Sequence, residues 1–293
     1  MDDLAKLRSC LLVPTGQSPG FEVARISISG SGSGSKREIC LGSERHDGGG
    51  DMSDFLSLPG LLLNRARDLM VQARALIFDV DGTLAETEEV HRQAFNSAFA
   101  RTGLDWCWGR DVYKELLRVT GGKERIRVFD GSRAGAPLLS DIEIAELHRI
   151  KTTLYAELIA NGGCPLRPGV QALLAAAQRR GQFLAIATTT SRDNIDVLLT
   201  AALGKNWADL FAAIVAGDEV PRKKPAPDVY LQALSRLDLS ASECLAIEDS
   251  SNGLVAASLA GIPVLISRSA YFRDDDFPGA LLAIDDLTEV TGM

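Results

Sequence analysis

The sequence predicts an α/β protein: a doubly wound, parallel, Rossmann-like sheet with a helical insertion after its first strand. Three observations support this. Short apolar runs recur at Ala75 to Phe78, Phe183 to Ala187 and Cys244 to Ile247, each ending on polar residues that lead into a helical stretch. Between the first two runs lie roughly 80 residues whose apolar positions follow helical spacing, as at Val90, Ala94, Phe95 and Phe99. Beyond residue 164 strands and helices alternate at short intervals, which requires parallel strands with helices on both faces.

The first 54 residues differ from the rest. Gly and Ser fill 17 of the first 50 positions, including Gly30 to Ser35 and Gly48 to Gly50. Such a stretch buries too little apolar surface to offset its ordering entropy, so 1–54 is expected to be a disordered leader. Its glycines are no dinucleotide fingerprint, since no strand precedes them in a βαβ frame. The leader is Ser-rich like a transit peptide, yet Asp2, Asp3, Glu22, Glu38, Glu44 and Asp47 depart from the acid-poor composition of such peptides. A lead-in at 55–72, interrupted at Pro59-Gly60, is expected to end as a helix from about Leu61 to Gln72.

The core is expected at 73–85 and 164–293, with the insertion at 86–163. Inside the insertion the spacing predicts helices over Glu86 to Ala100, Val112 to Val119, Glu124 to Phe129 and Ile142 to Leu158. After it, helices at Val170 to Arg180, Asp193 to Ala202, Pro227 to Leu237 and Asn252 to Ala260 alternate with strands at 183–188, Ala213 to Ala216, 244–247 and Ile262 to Ile266.

The strand ends carry the chemistry. Ile77-Phe78-Asp79-Val80-Asp81-Gly82-Thr83-Leu84 delivers two carboxylates to the C-terminal mouth of a buried strand, where open α/β sheets bind ligands. Acids this close repel, and a hard divalent cation with oxygen ligands, most simply Mg2+, would hold them together. Thr188 ends the next run with a hydroxyl donor, and Thr189, Thr190, Ser191 and Asn194 add donors where a helix N-terminus favours anions. A lone lysine is usually a surface cation, but Lys224 opens Lys-Pro-Ala-Pro-Asp, in which Pro227 can start a helix. Glu248 and Asp249 end the third run, before Ser250, Ser251, Asn252 and Gly253 open another helix.

The insertion offers Glu86, Glu89, His91 and Arg92, an aromatic stretch from Trp106 to Tyr113, and the cationic glycine turn Thr120 to Arg125. That turn suits a second, non-reacting phosphate, or equally a solvated helix cap. The net charge of −8 argues against general nucleic-acid binding, so an anionic substrate has to be held by local cations and a metal. Five dispersed cysteines without a CxxC pair suggest reduced thiols. No apolar run approaches the ~18 residues of a membrane span, and three separated histidines give no reason to expect zinc.

Taken in order, these strand ends resemble motifs I to IV of the haloacid dehalogenase superfamily, over roughly residues 73 to 285. The resemblance implies that Asp79 is a nucleophile forming an aspartyl phosphate and that Asp81 is the general acid/base. It implies that Thr188 and Lys224 stabilise the phosphoryl group. Mg2+ would be held by Asp79, Asp249 and the Asp81 main-chain carbonyl, with Glu248 supporting its hydration shell. The insertion resembles the superfamily's C1 cap. Dehalogenases of the superfamily need no acid at position 81, so its presence favours phosphoryl transfer.

The stretches FDVDGTLAETEEVHRQAFN, DWCW, TGGKERI, ATTTS, KKPAPDVY and EDSSNGL together resemble CbbY-type phosphatases. That family includes enzymes that hydrolyse xylulose 1,5-bisphosphate, an inhibitor of Rubisco. The resemblance implies that Glu86, Tyr113, Lys123 and Arg125 bind substrate hydroxyls and the distal phosphate, with His91, Gly122, Thr189 and Asn194 as further contacts. His91 stands where the related β-phosphoglucomutases carry a histidine, and such a mutase is the nearest alternative. A general sugar-phosphate or phosphoglycolate phosphatase and a non-catalytic binding protein are the others. The leader fits a chloroplast version of the family, the cytoplasm being the alternative. A monomer acting on a phosphorylated sugar, without nucleic-acid or membrane partners, is expected.

Overall fold

The structure, a computed structural model, describes residues 23–27, 40–44, 58–133, 138–162 and 164–291. Residues 1–56 and 57–293 form separate compact units. In the first unit, β1 (Val23–Ser27) and β2 (Cys40–Glu44) pair antiparallel, with Val23 opposite Glu44 and Ser27 opposite Cys40. This corrects the expected unstructured leader over those residues: antiparallel pairing satisfies the facing backbone groups of the two stretches, and β-branched residues such as Val23 and Ile26 suit a strand. The rest of that expectation lies outside the described residues.

The second unit begins with α1 (Leu58–Gln72), which starts before Pro59-Gly60 instead of after it; proline is tolerated in a first helical turn. Six parallel strands follow in chain order: β3 (Ala75–Phe78), β4 (Phe183–Ala187), β5 (Ala213–Val215), β6 (Cys244–Glu248), β7 (Val264–Ser267) and β8 (Leu282–Ile284). Their spatial order is β5-β4-β3-β6-β7-β8. The first of these strands therefore lies inside the sheet, with β4 on one side and β6 on the other, and the winding reverses at it. A crevice opens at such a switch point beyond the carboxyl ends of the strands. Phe78 is in register with Ile186 on β4 and Ile247 on β6, so Asp79, Thr188 and Glu248 emerge at one edge.

Strand alternation splits the core into two layers. Leu76, Phe78, Leu184, Ile186, Leu245 and Ile247 pack on one face, with Met70 of α1, Leu173 and Leu174 of α6 (Val170–Arg179), and Ile195 and Leu198 of α7 (Arg192–Leu203). Ala75, Ile77, Ala185, Ala187, Ala246 and Ile266 face α8 (Asp228–Leu237) and α9 (Ser251–Leu259). Strand β7 starts two residues after the expected Ile262. The Ile262 N–H donates to Ala257 O, which closes the end of α9, and Gly261 takes φ +81 there. Strand β8 and the terminal turn α10 (Thr288–Thr291) carry too short a pattern to be read from sequence.

The insertion consists of α2 (Glu88–Arg101), α3 (Arg110–Leu116), α4 (Gly122–Gly131) and α5 (Asp141–Gly162), with an apolar cluster of its own. Trp106 and Trp108 belong to that cluster and do not line the crevice. Trp108 packs 4.7 Å from Phe95 and 4.9 Å from Phe99, ring centre to ring centre. Its backbone is held from both sides by Asn96, which accepts from its N–H at 2.7 Å and donates to its carbonyl at 3.0 Å.

Two chain segments join insertion and sheet, bridged at Ala85 and Leu166. Arg167 pins this junction. Its buried guanidinium donates to the carbonyls of Gly82, Ser267, Arg268 and Asp285, and its Nε lies 3.1 Å from Glu86. Arg167→Met would leave these carbonyls without their donor, at about 1–3 kcal/mol for each that stays dry. Urea titration should therefore show at least ~3 kcal/mol of lost stability. A loss below ~1 kcal/mol would mean that water replaces the guanidinium without penalty.

Candidate active site

Asp79, the first residue beyond β3, is 6% exposed, and its N–H donates to Ile247 O at 3.0 Å. Lys224 Nζ stands 2.6 Å from Asp79 Oδ1 and 2.6 Å from Glu248 Oε1. Glu248 is fully buried. Its Oε1 also accepts from Tyr230 OH at 2.6 Å, and its Oε2 from the Asp249 N–H at 3.2 Å. One ammonium thus holds two acids from adjacent strands, and the tyrosine holds the second acid in place.

Asp249 completes the group. Carboxylate oxygens of Asp79, Glu248 and Asp249 lie within 4.8 Å of one another, while Asp249 Oδ2 is buried without a hydrogen-bond partner. Burial first, then Asp79 and Glu248, push the Asp249 carboxyl well above its ordinary value. Asp79 is pushed up to about 8, by burial and by Glu248 and Asp81 against the pull of Lys224. A clustered, oxygen-only, under-neutralised donor set fits a hard divalent cation. Gly82 is required beside it: at φ +83, a Cβ there would sit 2.0 Å from Asp249 Oδ2.

The Asp81 carboxylate points elsewhere. Its Oδ1 accepts from Thr87 Oγ1 at 2.6 Å and lies 3.1 Å from His91 Nε2. Lys151 Nζ is 2.6 Å from the other ring nitrogen, Nδ1, and Tyr155 stacks on the ring at 4.1 Å. Burial, then Lys151, lower the His91 pKa. The neutral ring therefore accepts from Lys151 at Nδ1 and donates to Asp81 from Nε2–H. Burial disfavours the Asp81 anion, but His91 and Thr87 outweigh it and hold its carboxyl below the usual range. Thr87 stands at the N-cap position of α2, yet its hydroxyl serves Asp81 and not the helix.

A cavity of about 660 Å³ connects these groups with the insertion. Asp79, Asp81, His91, Gly122, Lys123, Arg125, Thr188, Thr189, Asn194, Lys224 and Asp249 all line it. Thr188 Oγ1 accepts from Thr190 N–H at 3.3 Å, and Asn194 donates to Thr190 Oγ1 at 3.0 Å. Glu248 stands behind Lys224, outside the lining.

Two expected contacts stand outside the cavity lining. Glu86 does not line the cavity; its carboxylate accepts from Ala270 N–H at 3.2 Å and pairs with Arg167. The acid that faces the cavity is Glu88, in the first turn of α2, because the helix starts two residues later than periodicity suggested. Tyr113 is fully buried behind it and donates to Glu88 Oε2 at 2.8 Å. Arg125 Nη1 approaches the same Tyr113 OH at 3.3 Å.

The sequence reading also passed over Thr87, Glu88, His148, Lys151 and Tyr230. Lys151 was findable: Ile144, Leu147, Lys151 and Tyr155 occupy one helical stripe, so the lysine interrupts a buried face. The histidines, distant in sequence, meet in space, since both His91 and His148 line the cavity.

Comparison with known proteins gives a consistent result. A family model for haloacid dehalogenase-like hydrolases matches residues 73–261. Protein CbbY of Rhodobacter capsulatus is 53% identical over 218 residues, 74% of this chain and 95% of that protein. A CBBY-like protein of Arabidopsis thaliana is 36% identical over 234 residues, 77% of this chain and 73% of that one. Among solved structures, a CbbY mutant from Rhodobacter sphaeroides in complex with xylulose 1,5-bisphosphate superposes with a TM-score of 0.71 at 47% identity. The match covers 74% of this chain and 96% of that one.

Burial pushes the Lys151 ammonium down to about 7. Between about pH 7 and the ordinary lysine value near 10, the unfolded chain therefore holds the extra proton, and this residue makes stability rise with pH. Below that window both states are protonated and the effect is constant. The stability difference, wild type minus Lys151→Met, should grow by a few kcal/mol, order of magnitude, from pH 7 to pH 10. Thermal or urea unfolding at stepped pH reads it, and a flat difference would mean that Lys151 is solvated in the folded state.

Proposed function

The chain belongs to the haloacid dehalogenase-like hydrolases, of the CbbY type, and we propose that it is a Mg2+-dependent phosphatase acting on a sugar bisphosphate, most specifically xylulose 1,5-bisphosphate. The observation that carries this reading is the buried group of Asp79, Glu248 and Asp249 around Lys224, open to a cavity whose far wall is cationic. The complex of the Rhodobacter sphaeroides relative with xylulose 1,5-bisphosphate supports the choice of substrate.

Asp79 is the nucleophile. Its carboxylate oxygen bonds to phosphorus as the bond to the sugar oxygen breaks, forming an aspartyl phosphate and splitting hydrolysis into two easier steps. Asp81 gives the departing alkoxide its proton. It then takes a proton from the water that attacks the aspartyl phosphate, releasing inorganic phosphate and restoring Asp79. The chain from Asp81 through His91 to Lys151 fixes the orientation of the carboxyl for both transfers. Lys224 and Thr188 face the negative charge of the transferring phosphoryl group.

Asp79, Asp249 and the main-chain carbonyl of Asp81 would hold the Mg2+, with Glu248 behind them. When bound, the ion supplies positive charge that lets an anionic nucleophile approach an anionic ester. At the other end, Lys123 and Arg125 receive the second phosphate, and Glu88 receives sugar hydroxyls.

Asp79→Asn should abolish phosphate release from xylulose 1,5-bisphosphate while leaving the melting temperature near that of wild type, because it removes a nucleophile and no apolar contact. Appreciable turnover in this variant would refute covalent catalysis at Asp79. Chelation with EDTA should stop the reaction and added Mg2+ should restore it; unchanged activity after exhaustive chelation would exclude the metal role. Lys123→Ala should weaken binding of xylulose 1,5-bisphosphate by about tenfold or more, and that of xylulose 1-phosphate far less. Equal losses would remove Lys123 from the distal-phosphate site.

A further inference from the structure

We propose that His148 is a binding residue for the distal phosphate, and that its ring takes up one proton as that phosphate arrives. The inference rests on the sugar-bisphosphate reading of the cavity.

His148 is half-buried on α5 and lines the cavity together with Lys151 and Thr152, three and four residues further along the same helix. Across from it lies the first turn of α4. A Cβ built on Gly122 would stand 2.4 Å from His148 Nε2, so the ring edge lies directly against the glycine. Gly122 therefore has a steric reason to lack a side chain, and the imidazole is held beside Lys123. The His148 ring makes no hydrogen bond among the described residues, while its backbone carbonyl accepts from the Thr152 hydroxyl at 3.0 Å. A histidine placed only for packing usually finds a partner for its ring N–H. This ring instead faces the space where the second phosphate has to lie.

The charges around it are one-sided. Lys151 on its own helix, Lys123 on α4 and Lys223 on the segment before Lys224 all face it, and the neutral His91 ring on α2 adds no negative charge. The nearby acid is Glu124, whose charge is taken by Lys223 at 3.0 Å. Burial, then these cations, hold the ring at about 3, so it is neutral at physiological pH. A phosphate dianion reverses the field. It favours the charged ring, and imidazolium offers two N–H donors where neutral imidazole offers one. The complex then binds one more proton than the free protein. Affinity for the distal phosphate must rise as pH falls through the ring's value in the complex, and become independent of pH above it.

The test is calorimetric, on Asp79→Asn protein with Mg2+, so that ligand is bound but not turned over. Titrations with xylulose 1,5-bisphosphate and xylulose 1-phosphate, repeated in buffers of different ionisation enthalpy, count protons. The bisphosphate should draw about one more proton with His148 than with His148→Gln, while xylulose 1-phosphate gives the same count in both. His148→Gln should weaken the bisphosphate at least about tenfold more than xylulose 1-phosphate, the gain when the ring's value in the complex lies one unit above the working pH. His148→Lys, a fixed cation, should retain the preference for the bisphosphate and lose the proton uptake; it also serves if the glutamine variant does not fold. Equal proton counts, or equal loss for both ligands, would overturn the role of His148 and leave the sugar-bisphosphate reading intact. Failure of the bisphosphate to bind Asp79→Asn protein at all would overturn that reading and this inference with it.

Discussion

The site depends on how charge is balanced at the carboxyl edge of the sheet. Three carboxylates and one ammonium are packed there almost without solvent, and an ionised group taken out of water costs several kcal/mol unless it is paired. Lys224 meets two of the acids at 2.6 Å each, and Tyr230 and the Asp249 N–H satisfy more of the Glu248 oxygens. Asp249 Oδ2 keeps no partner, and the excess of negative charge pushes both Asp79 and Asp249 upward. A cation relieves that excess. The oxygen-only donor set at this excess of charge fits a small, hard, positive ion.

The sheet supplies the frame for this balance. Placing β3 between β4 and β6 brings three strand ends to one edge. The turn after β3 can pass close to Asp249 only because residue 82 has no side chain. Arg167 ties that turn to Ser267, Arg268 and Asp285 and, through Glu86, to the start of the insertion. The turn after β3 and the insertion's attachment therefore share one hydrogen-bonded junction. Thr87 shows the priority of function over local stability: its hydroxyl is spent on Asp81 while α2 goes without a side-chain cap.

The insertion opposes the acidic edge with cations. Lys123, Arg125, His148 and Lys151 face the cavity from α4 and α5, while Glu88 and Tyr113 fill the wall between. This arrangement matches a substrate that is anionic at both ends and hydroxylated in the middle. It also explains how a chain of net charge −8 accommodates an anion: the global field is unfavourable, and recognition is confined to a partly enclosed volume.

Legibility followed the distance over which a signal acts. Asp79, Thr188 and Glu248-Asp249 were readable because each directly follows an apolar run, and Lys224 because prolines mark its turn. The start of α2 read two residues early because helical periodicity does not register the Ala85–Leu166 bridge that precedes its first turn. The packing of Trp106 and Trp108 inside the insertion was not readable, because composition does not say which side of a helix pair is filled. By itself, then, the sequence determined the parallel sheet, the helices that cover it and the acids at its strand ends, since these follow from residue periodicity and covalent adjacency. The pairing of Lys224 with Glu248, of Lys151 with His91, and of His148 with Gly122 was decided only by the tertiary structure. Strand order and helix crossing set those distances, and separation along the chain does not encode them.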